Sequence, residues 1–133
     1  MRKTTAWLVC AMSLPCLSGC GADHTARKME LAKFALEYHE FNAAHGAAPA
    51  RLDDLKERSS AFPNVYTQIE DGRLVVIWNA KLSHDGNENE NYVLAYEKTV
   101  PEKGGWVIRA GGSVRRMTAE EFQKLPKIEQ AAE

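Results

Sequence analysis

Between Ala26 and His45, the residues Leu31, Phe34, Ala35, Tyr38, Phe41 and Ala44 recur at three- and four-residue steps. A helix turns once every 3.6 residues, so all six fall on one face. Glu30, Lys33, Glu37 and Glu40 lie largely off that face. The segment is therefore an amphipathic helix that has to bury one side. Gly46 is a natural stop, and Pro49 follows it. Leu52 and Leu55 then predict a short second turn or helix, with Asp53 and Asp54 near its start.

From Pro63 the pattern changes to that of strands. Val65 to Glu70 alternates, and Asp71-Gly72 reads as a two-residue hairpin turn. Leu74 to Trp78 is a nearly unbroken apolar run, as expected for a central strand covered on both faces or one at a sheet's heart. Ser83 to Asn91 is polar and reads as a loop. Tyr92–Tyr96, Trp106–Arg109 and Ser113–Met117 follow as strands. Thr118 and Glu121 make a capping box for a short last helix that Pro126 ends. The expected fold is α+β: one long N-terminal helix packed on a four- to five-stranded antiparallel meander, with a short C-terminal helix. Trp78 and Trp106 are the large residues expected in its core.

The segment before this domain has three parts. Arg2 and Lys3 give a basic start, Trp7 to Cys16 is largely apolar, and Leu17-Ser18-Gly19-Cys20 closes it. The apolar stretch is shorter than the ~20 residues a membrane-spanning helix needs. The whole resembles the signal and lipobox of bacterial lipoproteins. That resemblance implies a signal peptide over 1–19 and a lipid-bearing Cys20 as first mature residue. Residues 20–26 are expected to be the lipidated Cys and a tether, 27–125 the folded domain, and 126–133 a flexible tail. Gly21, rather than Asp, after the Cys points to the outer membrane where a cell has two membranes.

Cys10 and Cys16 leave with such a signal, so Cys20 is the sole mature cysteine. Its sulfur is then a thioether, which excludes a disulfide framework and thiol catalysis. The full chain carries a formal net charge of −1, and losing Arg2 and Lys3 makes the mature chain more acidic. That balance gives no footprint for nucleic acid.

The order of elements, the run Glu37 to Gly46 with Pro49 and Leu52-Asp53-Asp54-Leu55, and Gly111-Gly112-Ser113-Val114-Arg115 resemble the globular part of type IV pilins and type II secretion pseudopilins. The resemblance spans about residues 27 to 125. Gly111 stands where that family usually has Asp. It implies a pilin-like head, here with lipid in place of the long apolar helix that assembles a fibre.

Few residues suggest chemistry. The loop Asp85 to Asn91 has oxygen-bearing side chains at alternate positions, and Asp85, Asn87 and Asn89 are its candidate calcium ligands. The spacing departs from an EF-hand, since Glu90 and Tyr96 occupy the places of its Gly and terminal Glu. His39 and His45 are six apart, not the four that a zinc pair on one helix requires. His24 falls in the tether and His84 in the loop. Ser83-His84-Asp85 are sequence neighbours and cannot align as a triad. Arg109, Arg115 and Arg116 with Lys98 and Lys103 form either a basic patch at a sheet edge, suited to lipid headgroups or an acidic partner, or charges that keep an edge strand unpaired. The expectation is a non-enzymatic envelope lipoprotein held through lipid at Cys20, without a cofactor, working with a protein partner near a secretion or pilus-like system. The alternative is a small envelope module that binds calcium or another ligand.

Overall fold

The computed structural model describes residues 20–131. Helix α1 (Cys20–His45) carries the apolar stripe. Leu31, Phe34 and Tyr38 on it are fully buried. The helix takes in the segment expected as a tether. Asp23 in the first turn suits the helix dipole, Ala22 and Ala26 favour helix, and Arg27 meets Glu97 at 3.7 Å. Gly46, at φ +72°, ends the helix as expected.

A 3₁₀ segment (Leu52–Ala61) and α2 (Pro63–Glu70) follow. Arg58 of the 3₁₀ segment bonds Glu37 at 2.7 Å and Glu40 at 3.1 Å, fixing it beside α1. The expected strand Val65–Glu70 is thus a helix. Pro63 sits at its first turn, where a missing N–H costs nothing. Glu30 of α1 accepts from the N–H groups of Asn64 and Val65, satisfying two free donors of that turn. Gly72 has the positive φ expected of it, +76°, but for another purpose. The Gly72 N–H bonds Ile69 O and the Arg73 N–H bonds Gln68 O. Those two bonds make a Schellman helix end rather than a hairpin.

The sheet has four strands, β1 (Leu74–Val76), β2 (Val93–Glu97), β3 (Gly105–Arg109) and β4 (Val114–Met117). They lie in that order and all neighbours are antiparallel. The apolar run from Leu74 therefore supplies a short edge strand and not the sheet's centre. It is nonetheless packed on both faces: Leu74 and Val76 join the core under α1, and Val75 joins the opposite one. The first core combines Phe34, Tyr38, Leu55, Phe62, Val65, Leu94, Ile108 and Val114. The second combines Val93, Tyr96, Val107 and Met117 with Val100 and Phe122. Short helices α4 (Val100–Lys103) and α5 (Ala119–Gln123) carry those last two residues. Thr118 and Glu121 form the expected capping box of α5. The result is three layers, with α1, the 3₁₀ segment and α2 on one side of the sheet and α4 and α5 on the other.

Trp78 and Trp106 are only half-buried at the margin of the first core. Of the segment expected as a flexible tail, residues 126–131 are described and pair with the body: Ile128 is buried, Lys127 bridges Val93 and Gln130 bridges Ala80. One buried apolar side chain, backbone pairing and the Gln130 carboxamide on Trp78 O hold them, contacts that local composition does not signal.

Tyr38 ties α1 to the chain leaving β1. Its hydroxyl donates to Ile77 O at 2.8 Å and accepts from the Ala80 N–H at 3.2 Å. Burial pushes the phenol up to about 12, with the Ala80 N–H bond opposing. A raised acid contributes stability below its unfolded value near 10, and this is lost as pH rises through the folded value. Tyr38→Phe is expected to cost about 2 kcal/mol at neutral pH, because it leaves a buried N–H unpaired. Denaturant unfolding of both proteins should show that gap shrinking by about 1.4 kcal/mol per unit above about pH 10 and closing at about pH 11.5.

Candidate functional site

The segment 1–19 expected as a signal peptide and the side chain of Cys20 lie outside the described residues; the backbone at position 20 is the first of α1. One turn further on, His24 faces Trp106 of β3, ring centroids 6.1 Å apart. The Arg116 guanidinium lies 6.0 Å from the Trp106 ring centre, and its Nη1 is 3.5 Å from His24 Nδ1. Trp106 and Arg116 are cross-strand partners, which is why both reach α1. Arg27, one turn beyond His24, completes the cluster. Its side chain is 18 % exposed and its Nη2 is 3.7 Å from Glu97 Oε2. Its Nη1 is buried without a hydrogen-bond partner among the described residues. A cleft of about 200 Å³ opens between Asp23, His24, Arg27 and Trp106.

The expected basic patch is divided by the fold. Arg115 and Arg116 are exposed on the edge strand β4. Arg109 is at the opposite end of β3, half-buried, with its Nη1 3.4 Å from Glu90 O. Lys98 lies in the turn before α4 and Lys103 is the last residue of α4; both are exposed. His24 and Arg27 were not grouped with these residues in the sequence. The available signal was their three-residue spacing, visible only once the helix is read as starting before Ala26.

In the acidic loop, Asp85 is the N-cap of α3 (Gly86–Asn89), its Oδ1 accepting from the Asn87 N–H. Asn87 is exposed. Asn89 is buried, and its carboxamide is engaged with Ser83 through the Ser83 N–H at 2.8 Å and Ser83 O at 3.1 Å. These side chains thus brace the loop. Among the described residues no three His, Cys, Asp or Glu side chains gather. A cleft of about 360 Å³ lies alongside, between Lys81, Ser83, Glu88, Tyr92 and Glu129. The other histidines are apart: His39 Nε2 is 2.6 Å from Ala110 O, His45 stacks on Phe41, and His84 is exposed.

The Gly111-Gly112-Ser113 turn has a specific chemistry. Glu90 accepts from the Ser113 hydroxyl at 2.6 Å and lies within 3.4 Å of the Ser113 N–H. A Cβ at Gly111 would collide with that same Glu90 carboxylate. The Glu90 carboxylate therefore fills the space of a side chain at position 111. Comparison of the chain with protein-family profiles, with curated proteins and with solved structures finds no match.

Gly111→Ala is expected to displace the Glu90 carboxylate and destabilise the fold by about 1 kcal/mol through the loss of its bonds to Ser113. Gly111→Asp alone should do the same, with two carboxylates forced together. Combining Gly111→Asp with Glu90→Ala should recover much of the loss, measured by thermal unfolding of the three variants.

Proposed function

We propose that this chain is a lipid-anchored protein of the bacterial envelope whose pilin-like head acts, without catalysis, as an interaction or structural component near a secretion or pilus-like system. The lipid would be carried by Cys20, and the outer membrane is the favoured location. The supporting observation is that α1 is helical from Cys20 onward and packs on the sheet from its first turns. An anchor at that position would join membrane to folded body with little slack. Support for the head comes from the order of one long helix followed by an antiparallel sheet. No helix among the described residues is long and apolar enough to cross a membrane, so attachment through those helices would need another device.

In bacteria fed a lipid analogue, label is expected on the wild type and absent from Cys20→Ala, with the variant leaving the membrane fraction. Label retained by Cys20→Ala would contradict the anchor. Cross-linking in cells should recover a defined envelope protein; recovery of none would contradict the interaction role.

A further inference from the structure

The cluster at the start of α1 has the composition of a membrane-interface contact and lies where a lipid on Cys20 would bring it to a membrane. We infer that His24, Arg27, Trp106 and Arg116 seat the headgroup of an anionic phospholipid in the membrane that holds Cys20. This rests on the lipid-anchor reading above.

Three independent features lead there. The first is position. Cys20, His24 and Arg27 follow one another at helical steps of four and three, so position 20 is one turn, about 6 Å of rise, from His24. The second is chemistry. Trp prefers the headgroup level of a bilayer, where its apolar ring and polar N–H are both satisfied. Here Trp106 is half-buried beside the cleft, with the Arg116 guanidinium near its ring. Arginine is the cation best suited to phosphate, which it binds through paired donors. The third is the unpartnered donor. Arg27 lines that cleft, and its Nη1 is buried with no acceptor among the described residues. A buried guanidinium donor without an acceptor is costly, and a phosphate oxygen is an acceptor of the right charge.

The charges at the site are balanced. Glu97 is engaged with Arg27 and also accepts from the backbone N–H of Trp106 at 2.6 Å. Asp23 lines the cleft, so two carboxylates stand against the two guanidinium groups of Arg27 and Arg116, and a headgroup would be held by directed bonds from arginine rather than by an excess of positive charge. The chain's negative net charge disfavours a long polyanion as occupant.

The test uses the protein extracted from bacterial membranes and reconstituted in vesicles, with Trp78→Phe leaving Trp106 as the mature chain's only indole. Mass analysis of the Cys20 peptide is made on the same preparation. Vesicles of phosphatidylcholine alone are compared with vesicles that also contain phosphatidylglycerol bearing brominated chains. Expected are an acylated Cys20, a blue shift of Trp106 emission and quenching on the anionic vesicles only. Arg116→Gln, with an unchanged melting temperature, should lower the docked population about fivefold. An acylated protein whose Trp106 emission is the same on both vesicles would overturn the headgroup seat and leave the anchor standing. An unacylated Cys20 would overturn both. Quenching that Arg116→Gln and Arg27→Gln leave untouched would assign the contact to proximity alone and also overturn the proposal.

Discussion

The buried hydroxyl of Tyr38 organises more of this fold than any other polar group. It joins the middle of α1 to Ile77 O and the Ala80 N–H, so the chain leaving β1 is held against the helix. That segment then receives the C-terminal tail. The Lys81 N–H bonds Glu129 O, the Ala131 N–H bonds Asn79 O, and the Gln130 carboxamide donates to Trp78 O. One phenol in an apolar surrounding thus sets the place of two segments that have little apolar area of their own. Burial makes this arrangement costly to break, since every group involved would be left without water or partner.

Around that point the sheet works as a shared wall. Its α1 side takes the large side chains of the helix, and its other side takes Val100, Met117 and Phe122. A register shift between Val93 and Ala95 in β2 lets neighbouring residues serve both cores: Val93 belongs to the second, Leu94 and Ala95 to the first. Because α1 lies across the sheet from Trp106 at one end to Ala110 at the other, its N-terminal turns are part of the packed body. An anchor at Cys20 would consequently orient the domain as well as retain it.

Much of this was legible in the sequence where the signal is local. The α1 stripe repeats over many turns, so its period is unambiguous, and the Thr118 capping box and the Gly46 stop depend on near neighbours. Val65 to Glu70 failed because six residues fit a period of 2 or 3.6 almost equally well. The deciding features were Pro63 at the first turn and Glu30 capping from another element, the latter invisible locally. The apolar run from Leu74 points to a central strand, yet only Leu74 to Val76 is strand and it lies at the edge; covering by helices on both faces gives the same apolar pattern, and strand order in a sheet is a property of the whole chain. For the site, the residues that resemble a lipobox, Leu17 to Cys20, are contiguous and so readable. The aromatic and basic cluster is not, since Arg116 and His24 are 92 residues apart. The candidate calcium residues resembled ligands because Asp and Asn also serve as caps and loop braces, and that is the use the fold makes of Asp85 and Asn89.

The residues next to Cys20 are helix and not tether, so a lipid on Cys20, as proposed, would couple a membrane directly to the folded domain. Amide hydrogen exchange on the protein isolated from its cells tests that helix directly. The account expects the amides of Thr25 to Lys28 to exchange far more slowly than an unstructured chain, as helical hydrogen bonds require. Exchange of those amides at unstructured rates, with Leu31 to Tyr38 still protected, would contradict it.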